Sequence, residues 1–403
     1  MSASFVIDAA LLLLALVAVL PALVLFAEVA AAVSSRPLGN EPAAAALDRA
    51  ARLAVLMPAH DEAAGIGATI ASVSPQLGPR DRLVVVADNC SDDTATLARA
   101  AGAEVVERRD PERRGKGYAL DFGMRWLERD PPDLVVMVDA DCLLAPHALE
   151  RLASRCAATA RPVQALYLMQ APPGASTGQR IAAFAWLVKN KLRPLGAAAL
   201  GWPCQLMGTG MAFPWPRIRA AQLASAHLVE DMQLGLDLAE AGAAPLFCPG
   251  ALVTSTFPLD RDGSRSQRTR WEHGHLSVIA EAAPRLLVRA LLRRDGLLAA
   301  MVLDLMVPPL AALALITVAL GALEALWWAL GGSAWPLAVS AVGFGLLGVA
   351  VALAWRREGR EIVSLPELLA LPLYVAAKIP LYLRLLTRRQ VEWVRTKRDE
   401  RGH

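Results

Sequence analysis

Apolar residues follow three different rhythms along this chain. From Phe5 to Val33 they run almost unbroken, interrupted by Asp8, Pro21 and Glu28, and about 20 such residues suffice to cross a hydrocarbon core. From Arg52 to about Val253 the apolar runs are short. Leu53–Met57, Leu83–Ala87, Glu104–Val106, Leu134–Val138 and Val163–Met169 read as buried strands, alternating with helical stretches at Gly67–Val73, Thr94–Ala101 and Tyr118–Glu128. This alternation predicts an α/β domain with a mostly parallel sheet covered on both faces, binding ligands at the carboxyl ends of its strands. Further on, Leu297–Leu320 and Leu337–Trp355 are each long enough to cross, with Trp327, Trp328 and Trp335 placed as an aromatic belt between them. Ile362–Leu386 holds Pro366, Pro372, Lys378, Pro380 and Arg384 ahead of a basic tail, so it reads as interfacial or re-entrant. Two stretches are amphipathic. Gln179–Arg193 suits a core helix and the headgroup layer equally, whereas the basic Ser277–Arg294 suits the headgroup layer better.

Composition agrees with a mixed protein. Of 403 residues, 55% are hydrophobic and 20% charged, too apolar for a soluble domain and too charged for a bundle of spans alone. A net charge of +3 gives no reason to expect nucleic acid. No Lys or Arg precedes the first apolar run, whereas Arg36, Arg49 and Arg52 follow it. That run is therefore expected to be an anchor, not a cleaved signal peptide, with the N-terminus outside and the α/β domain cytoplasmic. Five scattered cysteines without CxxC spacing fit a reducing compartment. The expected division is an anchor over 1–35, an α/β domain over 50–276 and an interfacial helix over 277–296. A membrane region over 297–388 and a basic tail over 389–403 complete it.

Polar motifs sit where the strands end. Asp61 and Glu62 follow the first strand and Asp88 follows the second, where a carboxylate can accept from a base N–H or a ribose hydroxyl; Asp93 is expected to cap the next helix. Gly115-Lys116-Gly117 opens a helix, a place where backbone, dipole and ammonium suit a diphosphate. Asp139-Ala140-Asp141 directly follows five apolar residues. In an extended segment its two carboxylates share a face, and Mg²⁺ or Mn²⁺ would relieve their repulsion. Gly208-Thr209-Gly210 can bring backbone close to an acceptor. Glu230-Asp231 reads equally as a helix start and as the place of a general base, Asp231. In Gln267-Arg268-Thr269-Arg270-Trp271, Arg270 can hold phosphate charge and Trp271 can wall a sugar ring, or the pair can snorkel at a membrane.

In order, Asp88, Asp139-Ala140-Asp141, Glu230-Asp231 and Gln267 to Trp271 resemble the D, DxD, ED and QxxRW signature of family 2 glycosyltransferases. The likeness is to the membrane branch that includes cellulose, chitin, hyaluronan and poly-N-acetylglucosamine synthases. It covers about Arg52 to Leu276. It implies a GT-A (Rossmann-like) fold and inverting transfer from a nucleotide-diphospho-sugar, often UDP-linked, to a lipid or glycan at the cytoplasmic membrane face. By position, Asp61 or Glu62 and Asp88 would bind the nucleoside and Lys116 the diphosphate. Asp139 and Asp141 would hold the metal, and Asp231 would be the base. Gly208, Thr209, Gly210, Glu230, Gln267, Arg270 and Trp271 would line the acceptor and leaving-group end. A processive synthase with export or synthase partner subunits is the second reading, and an inactive nucleotide-sugar-binding scaffold the third. Three features depart from the pattern. Asn89-Cys90 stands where an acid and a glycine or asparagine are commoner. His273 and His275 are expected as helix-terminal polar residues. The membrane portion is short for a polymer channel.

Overall fold

The structure is a computed structural model and describes residues 3–35, 51–225, 229–257 and 261–387, the side chains of 261–268 and 384–387 excepted. Its strands are β1 (Leu53–Ala59), β2 (Arg82–Asp88), β3 (Glu104–Arg108), β4 (Leu134–Met137), β5 (Leu143–Leu144), β6 (Val163–Gln170), β7 (Met211–Pro214) and β8 (Leu246–Thr256). They form one eight-stranded sheet in the order β3-β2-β1-β4-β7-β6-β8-β5. β1 runs parallel to β2 and β4, β2 to β3, and β6 to β8; β7 is antiparallel between β4 and β6, and β5 is antiparallel along β8. The four strands on the β3 side, and β6, are the ones the apolar runs predict. β5 and β7 are too short to stand out in sequence. β8 is disguised by Pro249-Gly250, which falls where its register against β6 shifts between Ala165 and Leu166.

The helices are α1 (Ala3–Ser34), α2 (Ile66–Val73), α3 (Thr94–Ala100), α4 (Lys116–Leu127), α5 (Ala148–Thr159), α6 (Thr177–Leu187), α7 (Arg193–Ala199), α8 (Trp215–Arg219), α9 (Glu230–Glu240), α10 (Arg261–Arg293), α11 (Gly296–Leu305), α12 (Leu310–Ala329) and α13 (Trp335–Ala354). Alternation along β1 sends Leu53, Val55 and Met57 into a core with Ile66 and Ile70 of α2 and Leu149 of α5. Ala54 and Leu56 join Leu120 and Met124 of α4 on the other face. Both faces are therefore apolar, which is why these strands show no polar alternation.

Three helices are long and apolar enough to cross a membrane: Ala3–Ser34, Leu310–Ala329 and Trp335–Gly359. They pack together, with Gly343 of α13 open just enough for Val19 of α1; a Cβ there would lie 2.7 Å from the valine side chain. At one end Asp8 accepts from Trp327 Nε1 at 2.8 Å and from Ser333 N at 3.0 Å. At the other end Arg193 of α7 donates to Glu28 at 2.7 Å and is also paired with Asp304 of α11. All three of these side chains are buried. Gly196, one turn on, lets α7 touch the Glu28 backbone, for a Cβ would lie 1.7 Å from the Glu28 carbonyl oxygen.

Several expectations need correction. Leu297–Leu320 is not one helix: α11 ends at Leu305, and Pro308-Pro309, lacking N–H donors, separate it from α12. α11 packs Met301, Val302 and Leu305 against α9 and α10. Gln179–Arg193 is internal, its Ile181, Phe184, Leu187 and Val188 buried, with a π-turn at Val188–Leu192 joining α6 to α7. Ser277–Arg294 is the second half of the longer α10. That half buries Ala282, Ala283, Leu286 and Ala290 against α9 and α11 while Val288, Leu291 and Leu292 stay exposed. Ile362–Leu386, read from sequence as interfacial or re-entrant, forms three short helices, Leu365–Leu369, Leu371–Ala376 and Ile379–Thr387. They are tied back by Glu367 to Arg180 and by Lys378 and Tyr382 to Glu272. The tail 389–403 and the arginines Arg36 and Arg49 lie outside the described residues.

Removing one member of a buried ion group strands the others without their counter-charge. Arg193→Met should cost about 3–5 kcal/mol, read as a lower thermal unfolding midpoint of the full chain in detergent. Adding Glu28→Gln and Asp304→Asn to that variant should restore much of the loss.

Candidate active site

The loops after β1, β2 and β4, the start of α4 and the start of α9 all open on one side of the sheet, as strand polarity requires. They surround a cavity of about 280 Å³ whose wall includes Asp61, Glu62, Asp88, Lys116, Asp139, Asp141, Gly208, Glu230, Asp231, Arg270 and Trp271. Eleven residues chosen from sequence thus share one cavity. Thr209 and Gly210 stand behind the wall. Thr209 is fully buried and its Oγ1 accepts from Asp139 N at 3.0 Å. Gly210, at φ +64°, allows β7 to pass Ala165 and Val253, which a Cβ would meet at 2.7 and 2.8 Å. The backbone of Gln267 lies in α10; its side chain is outside the described residues.

At the β1–β2 corner, Asp61 (φ +52°) turns back to accept from Ser91 N at 2.6 Å, and Glu62 N donates to Thr94 Oγ1 at 2.7 Å. Asp88 ends β2, buried, and pairs with Arg108 at the end of β3 at 2.6 Å. Asn89 (φ +51°) clamps the corner, donating to Asp88 Oδ1 and to Asp110 O and accepting from Asp110 N at 2.8 Å. This gives the departure at Asn89 a structural role. Asp93 does not cap α3 with its side chain; Asp92 does so, accepting from Thr94 N at 3.0 Å while also holding Ala63 N.

At the opposite wall Asp139 and Asp141 converge, but not in an extended strand. β4 ends at Met137, and a turn closed by Cys142 N donating to Asp139 O at 3.1 Å swings the two carboxylates together. Ligand atoms of Asp139, Asp141 and Cys142 all lie within 4.8 Å of one another. Gly115, at φ +133°, starts α4 so that Lys116 Nζ reaches Gly208 O at 2.8 Å, Asp139 Oδ1 at 2.5 Å and Glu230 Oε1 at 4.0 Å. Gly208 itself (φ +88°) has Asp231 Oδ2 and Lys116 Nζ at 3.3 and 3.5 Å from where a Cβ would stand.

Crowding carboxylates in a recess raises their proton affinity. Burial first, then Asp141, pushes the Asp139 carboxyl up against the pull of Lys116. Glu230 is likewise pushed up by burial and by Asp231, with Lys116 opposing. Burial raises Asp231, with Lys116 and Lys189 drawing it back. Burial alone would lower the Lys116 ammonium, but Asp139 and Glu230 outweigh it and hold it above the ordinary lysine value.

Sequence reasoning missed one wall of the cavity. Trp186, Lys189 and Asn190 line the cavity from α6 and its π-turn. Trp186 stacks tilted on Trp271 at 4.8 Å between ring centroids and meets Tyr167 and Phe257 edge-on. The signal available was the mixture of Trp186 and Lys189 in the amphipathic stretch, read there as a choice between core and membrane. His273 and His275 are not helix-terminal. They lie inside α10, and His275 Nε2–H donates to Leu305 O at 3.0 Å, burial pushing its imidazole down to about 3.

The model of the family described as Glycosyltransferase like family 2 matches residues 50–274, more than half of the chain. Glucosyl-3-phosphoglycerate synthase of Mycolicibacterium paratuberculosis is 43% identical over 103 residues, covering 24% of this chain and 30% of that protein. The low-salt glycan biosynthesis hexosyltransferase Agl6 of Haloferax volcanii is 38% identical over 107 residues, 26% and 24% of the two chains. The chain thus spans less than a third of the length of these curated relatives. Mannosyltransferase PcManGT from Pyrobaculum calidifontis, solved with GDP-Man and Mn²⁺, is alike in fold at a TM-score of 0.54 and 18% identity, over 94% of this chain and 100% of that one. With its sheet, its cavity of strand-end carboxylates and the family match over residues 50–274, the chain belongs to the glycosyltransferase family 2-like proteins.

Proposed function

We propose that the enzyme transfers a sugar, with inversion, from a nucleotide-diphospho-sugar such as a UDP-sugar to a lipid or glycan at the cytoplasmic face of a membrane. In this reading α1, α12 and α13 are the spans, and the family's membrane synthase branch serves as the functional model. One observation carries it: Asp231 and Lys116 flank Gly208 within a cavity that also holds Asp88, Asp139 and Asp141.

Asp88 and the Asp61 loop suit the nucleoside, and Lys116 at the start of α4 suits the diphosphate. Asp139 and Asp141 offer hard oxygen ligands close enough for Mg²⁺ or Mn²⁺, which when bound supplies positive charge at the diphosphate. The raised proton affinity of Asp231 suits a general base. It takes the acceptor hydroxyl proton as that oxygen bonds to the anomeric carbon, and the bond from that carbon to the diphosphate breaks on the opposite side. Arg270 faces the negative charge left behind, and Trp271 with Trp186 offers apolar faces to a sugar ring. The Asp8 contacts with Trp327 and Ser333 lie at the far end of the span bundle from the Glu28–Arg193 pair, which agrees with an outer N-terminus.

The assay is nucleoside diphosphate release by purified enzyme from a panel of nucleotide-sugars. Asp231→Asn should keep donor binding but lower turnover by roughly 10²–10⁴-fold; full turnover in that variant refutes the base. Asp141→Ala should abolish metal-dependent transfer, and undiminished transfer refutes its role as ligand.

Metal binding also has a readout in stability. The metal-free folded state holds protons on Asp139, Glu230 and Asp231 more tightly than the unfolded chain does. That contribution is complete below ordinary carboxylate values and lost as pH rises through the raised ones. EDTA-treated enzyme should therefore unfold at a lower temperature at pH 8 than at pH 5. Mn²⁺ should recover several degrees at pH 8 and little at pH 5, and Asp141→Asn should abolish that recovery.

A further inference from the structure

Beside the active-site cavity lies a larger cleft of about 680 Å³, walled almost entirely by carbon. It runs from Trp271 and Trp186 along α12 and α13 and under the short helices at Leu371 and Ile379. Its far end reaches Val318 and Phe344, near the middle of their spans and more than half exposed. Trp186, Lys189 and Trp271 line this cleft and the active-site cavity alike, so the two spaces meet at a seam.

Resting on the proposed transfer, we propose that the acceptor is an amphiphilic lipid. Its hydrocarbon chain enters sideways from the bilayer between α12 and α13 and lies in this cleft, while its hydroxyl-bearing head crosses the Trp186–Trp271 seam toward Asp231. Three observations select a lipid chain over a sugar chain. A glycan presents hydroxyls along its whole length, and an almost wholly apolar wall would leave them unsatisfied. The mid-span opening faces hydrocarbon, the phase from which such a chain is drawn. The volume is that of an ordinary ligand site; at ~30 Å³ for a water-sized group, it holds on the order of twenty chain carbons. The few polar lining residues are Lys189, Arg193, Glu272, His275, Tyr374 and Lys378, of which Lys189 belongs to the seam itself and Glu272 follows Trp271 directly. The transfer is unchanged: the lipid hydroxyl oxygen bonds to the anomeric carbon, its proton passes to Asp231, and the nucleoside diphosphate leaves.

The test uses the full chain in phosphatidylcholine nanodiscs with a diazirine-bearing hexadecanol, photolysed and mapped by mass spectrometry. Adducts should concentrate on the cleft walls, including Pro308–Val318 and Leu371–Ile379. Gly348→Phe, at a lining position where a Cβ meets nothing within 4 Å, should lower them at least fivefold. Ala314→Phe, at a second lining position, should do the same, and both variants should keep the thermal shift given by UDP with Mn²⁺. Adducts spread evenly over all outward span faces, or unchanged by both fillings, overturn the proposal. Transfer to membrane lipid, read as organic-extractable radiolabel, should fall at least tenfold in both variants. Label found instead in a water-soluble glycan overturns the lipid acceptor while leaving the transferase reading intact. Cleft-confined adducts without nucleoside diphosphate release from any donor support the lipid site and overturn the transfer.

Discussion

Four carboxylates, those of Asp139, Asp141, Glu230 and Asp231, are delivered to one recess by the end of β4 and the start of α9, with the Lys116 ammonium lodged among them. Such a cluster is costly unless something positive is held there. Much of the surrounding structure serves to hold it in place. Thr209 fixes the Asp139 backbone, the Cys142 turn aims the two aspartates together, and Gly208 leaves room for Asp231 and Lys116 to approach the same point. The acids also cannot relax away, because β4 is central in the sheet and its residues Leu134 to Met137 are buried on both faces. A sheet that rigid can keep like charges close. The metal and diphosphate proposed for the donor would relieve them.

How much of this could be read in the sequence depends on whether each feature is local. The parallel strands were legible because burial on both faces removes polar alternation, leaving runs such as Leu83 to Ala87. The carboxylates were legible because they follow such runs directly. Their means of convergence was not, since a two-residue turn at Ala140-Asp141 and an extended segment leave the same spacing. β8 was hidden because its bulge places Pro249-Gly250 inside a strand. Asp92 displaced Asp93 as the cap because tertiary contact with Ala63 N rewards the former, and no local propensity carries that information. The broken span shows the reverse case. Pro308-Pro309 were visible, but hydropathy alone ran through them. The decisive fact was that α11 has a partner surface in α9 and α10.

The wall carrying Trp186 and Lys189 was the least legible part because its residues act across elements. One stretch, α6 with its π-turn and α7, presents Trp186 and Lys189 to the reaction cavity and Arg193 to Glu28 and Asp304. Hydrogen bonds that span five residues instead of four widen the turn and rotate the helix face at that point. Side chains three and four positions apart can thereby look into different spaces. Sequence periodicity assumes one face throughout, so it offered a choice between core and membrane where the chain serves the core and the active-site cavity at once.

That shared helix also explains why the first apolar helix and the α/β domain cannot be independent modules. Arg193 is held from one side by a residue of the first apolar helix and from the other by α11, and Gly196 lets the α1 backbone come within contact of α7. Any tilt of α1 must therefore move α7, and through the π-turn the walls carrying Lys189 and Trp186. Trp186 in turn rests on Trp271 of α10, which passes its Glu272 to Lys378 and Tyr382 of the last short helices. The aromatic seam is thus gripped by the first apolar helix and the C-terminal segments together. If donor and acceptor approach from different phases, as proposed above, such coupling would let the protein alone fix the distance between the two reacting atoms.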